Sequence, residues 1–329
     1  MSSNATALIT GITGQDGSYL TELLLEKGYA VHGVVRRTSN LTRSRIEHLR
    51  SDAEIYGQRL FLHYSDLSDG TTLRRIFAEV QPTEVYHLAG QSHVGLSFEI
   101  PESTSDEVGM ATLRLLEIVR DQPQPVKFYH ASSSEIFGRV TDSPQNEETP
   151  ICPTSPYGCA KAFATHLVQV YRNSYGMFAC NGILYNHESP RRGEGFVTRK
   201  VARGAAAIAR GLESELVLGA LESRRDWGHA REYVEAMWLM LQHTAADDYV
   251  IATGKTHTVR ELVETAFEAV GLPWEAYVKQ DANFTRPAEP RLLVGSAEKA
   301  RRVLGWEPKT TFPELVREMV TAEIATIGK

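Results

Sequence analysis

"ATALITGITGQDG", residues 5–17, runs a short apolar stretch into three glycines at positions 11, 14 and 17. The segment ATALITG reads as a buried strand, because Ala, Leu and Ile dominate it without a regular polar alternation. The spacing G-x-x-G-x-x-G that follows permits a tight turn, a close approach of backbone to a ligand, and close packing of the next helix on the strand. A helix opening directly after such a turn aims its unpaired backbone N–H groups and the positive end of its dipole into the loop. Glycine spacing alone is a weak signal, but the strand–loop–helix setting makes it a dinucleotide phosphate cradle. Gly11, Thr13, Gly14, Gln15, Asp16 and Gly17 are therefore candidate cofactor contacts.

The same alternation continues through the first half of the chain. Apolar runs at 29–35, 59–66, 84–90 and 126–132 predict strands, and amphipathic stretches at 15–27, 70–80 and 105–120 predict helices. Strands separated by helices imply a parallel sheet with crossover connections. Two further strands are expected at 178–186 and 248–254, with helices at 157–175, 230–243 and 258–270. Segments rich in Gly, Arg and Pro (SPRRGEGF, LGALESRRDWG, TRPAEPRLLVGS) break the pattern and are read as a smaller C-terminal lobe. The expected fold is α/β: a Rossmann-type, doubly wound parallel sheet with an interleaved, substrate-binding C-terminal lobe. Its nucleotide-binding part is expected over 1–187, completed by about 230–260, with the lobe in 188–229 and 261–329.

Strand ends carry the next candidates. After the second strand an acid would suit unmodified ribose hydroxyls, but the chain reads VVRRTSN, so Arg36 or Arg37 suits a 2′-phosphate and NADP is the expected cofactor. Asp66, followed by Leu67, is placed to bond the adenine amine. The small residues of LAGQS (Leu88, Ala89, Gly90, Gln91, Ser92) are placed to pass close to the cofactor.

Reacting groups follow the fifth strand. HASSSEIFG, residues 130–138, sets three serines and Glu135 at the strand end, and SPYGCAK carries the only Y-x-x-x-K of the chain, Tyr157 and Lys161. Residues four apart share a helix face. A free tyrosine has a pKa of ~10, and an ammonium at ~4 Å, together with an oxidised nicotinamide, is expected to favour the phenolate by on the order of a few kcal/mol at an effective dielectric of ~20. Tyr157 would then accept a sugar hydroxyl's proton. A plain dehydrogenase or epimerase needs a hydroxyl beside that tyrosine, which one of the serines at 132–134 supplies, but has no use for Glu135. A dehydratase does, because a carboxylate can remove the acidic hydrogen beside a newly formed ketone as water departs.

Composition excludes several classes. A net charge of −6 argues against general nucleic-acid binding, although RR pairs at 36–37, 191–192 and 224–225 can hold phosphates. No apolar run approaches the roughly 18 residues of a membrane span. No leader is recognisable in MSSNATALITG. The three cysteines, Cys152, Cys159 and Cys180, show neither metal-ligand spacing nor an even count, and the histidines lack zinc-type spacing, so no metal and a cytoplasmic location are expected. In NHESPRRGEGF, two guanidiniums beside a glycine-rich bend can clamp a diphosphate, and Asn186 can bond a sugar hydroxyl or a pyrophosphate oxygen.

GITGQDGSYL, VVRRTSN, SSSEIFG, SPYGCAK, NGILYNHESPRRG, FVTRK, RRDWGHAREYVEAMWLMLQ and FTRPAEPRLLVGS together resemble GDP-mannose 4,6-dehydratases, of the extended short-chain dehydrogenase/reductase group, over nearly the whole chain. The resemblance implies conversion of GDP-mannose to GDP-4-keto-6-deoxymannose with tightly held NADP, in a homodimer or homotetramer. It assigns the catalytic hydroxyl, acid, tyrosine and lysine to Ser133, Glu135, Tyr157 and Lys161. It also assigns cofactor contacts to His187 and Arg192, and substrate contacts to Ser92, Asn186, Glu188, Val197, Lys200, Gly219, Arg225, and Arg286 or Glu289. This chain departs from the family pattern at Ser133 (commonly threonine), at His87 and Gly90 in HLAGQS (usually NLAAQS), at Cys152 and Thr154 in ICPTSPYG, and at Arg291 in RPAEPR. These departures leave open a dehydratase or epimerase of another GDP-linked sugar, such as a heptose. A non-catalytic cofactor-binding scaffold is the alternative of a different class.

Overall fold

Seven strands form one wholly parallel sheet: β1 (Thr6–Thr10), β2 (Ala30–Val35), β3 (Leu60–Tyr64), β4 (Glu84–His87), β5 (Lys127–Ser133), β6 (Ala179–Leu184) and β7 (Asp248–Ile251). Their order across the sheet is β7-β6-β5-β4-β1-β2-β3. The computed structural model describes residues 5–37, 43–281 and 292–327. Arg286, Glu289 and Arg291 lie outside the described residues.

The longer helices are α1 (Gln15–Glu26), α2 (Gly70–Val80), α3 (Ala111–Arg120), α4 (Pro156–Tyr175), α5 (Val197–Ala209), α6 (Ala230–Gln242), α7 (Val259–Glu268) and α8 (Phe312–Thr326). Successive strand residues point to opposite faces, so Ala7 and Ile9 of β1 join Leu20 and Leu24 of α1 and Met237 and Met240 of α6. Leu8 between them joins Leu73 and Phe77 of α2, Leu115 of α3 and Val168 of α4 on the other side. Both faces are thus covered, which explains why the strands read as continuous apolar runs. The sequence order reverses between β1 and β4, and in such sheets the crevice beyond the strand ends at that point receives the ligand.

A separate core holds the lobe. Val201, Ala202, Ala205 and Ile208 of α5 pack with Leu262, Val263 and Phe267 of α7 and Leu315, Val316 and Met319 of α8. The sequence reading did not assign α5 or α8. The 201/205/208 spacing was the available signal, but arginines and Gly204 in RKVARGAAAIAR masked it; a Cβ at Gly204 would meet Leu216 Cδ1 at 2.8 Å, so the glycine lets that leucine pack against the helix. Glu298–Leu304 and Trp306 return to the first core, against α6 and β7. The helix expected over 105–120 begins earlier, with Pro101–Ser105, and passes through a π-turn at Asp106–Met110 before α3. Among the described residues no helix is long and apolar enough to cross a membrane.

Candidate active site

The glycine loop is shaped by backbone contacts that admit no side chain. Gly11 has φ +76°, and a Cβ on it would meet the Ala89 nitrogen at 2.9 Å; a Cβ on Gly17 would meet the Gly11 carbonyl oxygen at 2.3 Å. Gly14 caps α1 without a side-chain hydrogen bond, leaving the first-turn N–H groups to a ligand. These features fit the diphosphate of a dinucleotide. Gly17→Ala cannot be relieved by a rotamer, since its neighbours are backbone. It is expected to destabilise the fold by roughly 1–3 kcal/mol and to abolish dinucleotide binding, as read by thermal unfolding and by nicotinamide fluorescence titration.

Side chains of the loop are anchored across the crevice. Gln15 donates to the His187 carbonyl (2.9 Å) and accepts from Ser189 Oγ (2.8 Å). His187 Nε2 meets Asp16 Oδ2 at 2.8 Å, and its Nδ1 meets the Tyr185 carbonyl at 2.7 Å. Burial opposes the charge on each partner. For His187 the Asp16 carboxylate outweighs it and raises the imidazole; for Asp16 the His187 charge and the hydrogen bonds from His187 and Gln15 hold the acid low. The raised histidine contributes stability that is complete below its unfolded pKa of ~6.5 and fades as pH rises through its folded value. The lowered aspartate contributes above ~3.9 and loses it as pH falls through its folded value. The anchor is therefore expected to be strongest between roughly pH 4 and 6.5, and Asp16→Asn should flatten the pH dependence of thermal stability above pH 6.

At the far end, β5 runs through Ser133 and is followed by a single 3-10 turn, Ser134–Ile136, which carries Glu135. The Ser133 hydroxyl accepts from the Glu135 amide at 3.3 Å. Helix α4 starts where Ser155 accepts from Gly158 N (3.0 Å) with Pro156 in its first turn, which sets Tyr157 and Lys161 one turn apart facing the sheet. A Cβ on Gly158 would meet the Glu135 carbonyl oxygen at 2.7 Å, so glycine there lets the helix start approach the acid's backbone. Ser132 is tied to Thr165 of α4 (2.6 Å), leaving Ser133 as the serine whose hydroxyl pulls the Tyr157 phenol down.

Electrostatics differ from the sequence expectation at one point. Lys161 donates to the Ala131 carbonyl at 2.7 Å and sits 5.8 Å from the Tyr157 ring centroid. Its lowering of the tyrosine is not seen. Burial pushes the Tyr157 phenol up to about 12, with Ser133's hydrogen bond pulling down and the Glu135 charge pushing up again. Burial also pushes Lys161 down to about 8, opposed by Asp16.

One cavity of about 1030 Å³ joins the glycine loop to Ser133, Glu135, Tyr157 and Lys161. That exceeds the upper end of the ~300–1,000 Å³ of an ordinary small-ligand pocket, as two adjoining ligands require. Its wall includes Gly11, Thr13, Gly14, Gln15, Asp16, Gly17, Arg36, Asp66, Leu67 and the whole of Leu88–Ser92. Ser133, Glu135, Tyr157 and Lys161 also line it, with Asn186, His187, Glu188, Arg192, Val197, Lys200, Gly219 and Arg225. Arg37 is not in the wall. Arg191, half of the expected diphosphate clamp, turns away because its guanidinium pairs with Glu22 (2.6 Å), bonds Ser18 Oγ (3.0 Å) and stacks on Tyr19. Arg192 stays in the wall, paired with Glu188 (3.0 Å) and stacked 3.7 Å from the Phe196 ring centroid. Arg45, His93, Glu107 and Phe196 also line the cavity and were not found from sequence. For Arg45 the signal was the basic run RRTSNLTRSR; the others carry none.

The family model described as GDP-mannose 4,6 dehydratase matches residues 8–319. GDP-mannose 4,6 dehydratase 2 of Arabidopsis thaliana is 54% identical over 97% of this chain and 86% of its own length, and the Homo sapiens GDP-mannose 4,6 dehydratase is 50% identical over 97% and 91%. The chain belongs to the GDP-mannose 4,6-dehydratase family. Among solved structures, a UDP-glucose 4-epimerase of Thermus thermophilus in complex with NAD is 28% identical with a TM-score of 0.83, covering 98% of this chain and all (100%) of that one. Of the departures from the family pattern within the described residues, Ser133 and Gly90 line the cavity, whereas His87, Cys152 and Thr154 do not.

Proposed function

We infer that the protein is a GDP-mannose 4,6-dehydratase, a lyase that holds NADP and converts GDP-mannose to GDP-4-keto-6-deoxymannose. One observation carries the reading: in a chain half identical to dehydratases of plants and animals, a single cavity runs from the glycine cradle to Ser133, Glu135 and Tyr157. In this reading Gly11–Gly17 hold the diphosphate, Asp66 the adenine and Arg36 the 2′-phosphate, while Lys161 holds the nicotinamide ribose.

Bound nicotinamide supplies reversible storage of the carbon 4 hydrogen with its bonding electrons, taken from carbon 4 and returned at carbon 6. Tyr157 accepts the proton of the 4-hydroxyl, helped by the Ser133 hydroxyl, and a ketone forms at carbon 4. That ketone acidifies the hydrogen on carbon 5, which Glu135 removes while the hydroxyl leaves carbon 6; proton and hydroxyl depart as one water. A proton returned to carbon 5 completes the product. Asn186, Glu188, Val197, Lys200, Gly219 and Arg225 make the wall for the GDP-sugar.

Purified protein given GDP-mannose without added cofactor should yield a nucleotide sugar lighter by one water in mass spectrometry; an unchanged mass would remove this reading. Arg36→Ala should weaken NADP about tenfold relative to NAD in parallel titrations, the loss of a charged hydrogen bond. A homodimer or homotetramer is part of the reading. It is supported by Phe163, Val170 and Tyr175 standing exposed on α4 with Met110 exposed just before α3, and is read by light scattering. So is a cytoplasmic location, in keeping with three unpaired cysteines.

A further inference from the structure

His87 ends β4 under the crevice, is 2% exposed and stands outside the cavity wall. Its two ring nitrogens face two hydroxyls, and the role of one of them is set by a second partner. Thr112 Oγ1 donates to the Val108 carbonyl (2.7 Å), so toward His87 Nε2, 3.2 Å away, it can only accept. His87 therefore carries its proton on Nε2. Nδ1 is left to accept a hydrogen bond from the Thr10 hydroxyl, 2.8 Å away, while Thr10 Oγ1 accepts from the Ala89 amide at 3.3 Å. The result is a one-way chain from the Ala89 N–H through Thr10, the neutral imidazole and Thr112 to the Val108 carbonyl. Each donor in it meets one acceptor, and reversing the imidazole would set Nε2 and the Thr112 oxygen against each other as two buried acceptors.

The chain joins three parts of the cofactor crevice: the end of β1, the Leu88–Gly90 shelf and the π-turn before α3. Thr10, Ala89 and Gly90 line the cavity, and Gly11 approaches the Ala89 nitrogen with no room for a Cβ. Gly90, at φ +145°, lies over Val108, whose Cγ2 would be 3.2 Å from an added Cβ. The neighbouring groups support a neutral ring. His130, paired in register with His87 on β5, has its ring centroid 5.9 Å away, and Lys161 adds positive charge from α4. Burial and that charge push His87 down to about 3. His130 has the opposite tautomer: the Asn181 amide donates to the Thr165 carbonyl and to Asp248, so its oxygen accepts from His130 Nδ1.

We propose that His87 is a positioning residue which, as the neutral Nε2–H tautomer, sets the spacing between the glycine loop and the Leu88–Gly90 shelf and thereby the affinity for the dinucleotide. The proposal rests on the reading of the crevice as a nicotinamide dinucleotide site.

Long-range ¹H–¹⁵N spectra of histidine-labelled protein at neutral pH test the tautomer directly, with the His87 signals identified by their loss in His87→Asn. A protonated Nε2 and a bare Nδ1 are expected; a protonated Nδ1, or an imidazolium, overturns the proposal. NADPH titrations test the consequence. His87→Leu, which supplies neither bond, should weaken NADPH about tenfold. His87→Asn, whose amide oxygen reaches the Nδ1 position, should recover most of that loss even where its melting temperature matches that of His87→Leu. Equal affinities in the two variants would reduce His87 to a space-filling role and overturn the proposal. Wild-type protein unable to bind NADPH at all would overturn the dinucleotide reading instead, leaving the tautomer to be judged by the spectrum.

Discussion

Glu135→Gln is expected to slow the release of water by about 10²–10⁴-fold while leaving the oxidation at carbon 4 intact. The amide keeps the shape of the side chain but has no basic oxygen for the carbon 5 proton. Removing the carboxylate charge also relieves one of the influences that raise the Tyr157 phenol, so the first half-reaction should be undiminished or slightly faster. Rapid mixing with GDP-mannose would then show reduced nicotinamide absorbance building up, with mass spectrometry finding almost no dehydrated product. Water loss at the wild-type rate would remove Glu135 from the role of base.

Tyr157→Phe should fail one step earlier. Without the phenol no group is placed to take the 4-hydroxyl proton, and a loss of about 10²–10⁴-fold is expected in both nicotinamide reduction and dehydration, with GDP-mannose still bound in calorimetry. The wild-type pH profile provides a second check. With the phenol at about 12 and Lys161 at about 8, the reactive combination is a phenolate beside a charged lysine. Below pH 8 each unit rise increases the phenolate fraction tenfold while the lysine stays charged. Above pH 8 the gain is cancelled by loss of the lysine charge, so the oxidation rate should climb to about pH 8 and then level. A rate independent of pH between 6 and 8 would show that proton removal by Tyr157 does not limit oxidation.

The two motifs of the candidate active site differed in how far sequence could take them. Tyr157 and Lys161 were legible because i and i+4 share a helix face whatever the tertiary context, and a serine cap with proline in the first turn marks where that helix begins. Glu135 was legible only as an acid without a turn's need for it. Its placement near Tyr157 depends on the 3-10 turn after β5 and on Gly158 allowing α4 to approach that turn. The lobe was less readable, since the apolar 201/205/208 face of α5 is interrupted in the sequence by arginines and Gly204, and the helices that cover it, α7 and α8, lie far along the chain.

The order of residues was enough for the parallel sheet, the glycine cradle and the shared face of Tyr157 and Lys161, because backbone sterics and helix or strand periodicity are local and follow the residues wherever they are. Folding was needed to turn Arg192 to the cavity and Arg191 to Glu22, 169 residues earlier, to let burial raise the Tyr157 phenol, and to hold the His87 proton on Nε2. Each of these is an outcome of charge, solvation and hydrogen-bond direction among groups that only the folded chain brings within a few ångströms.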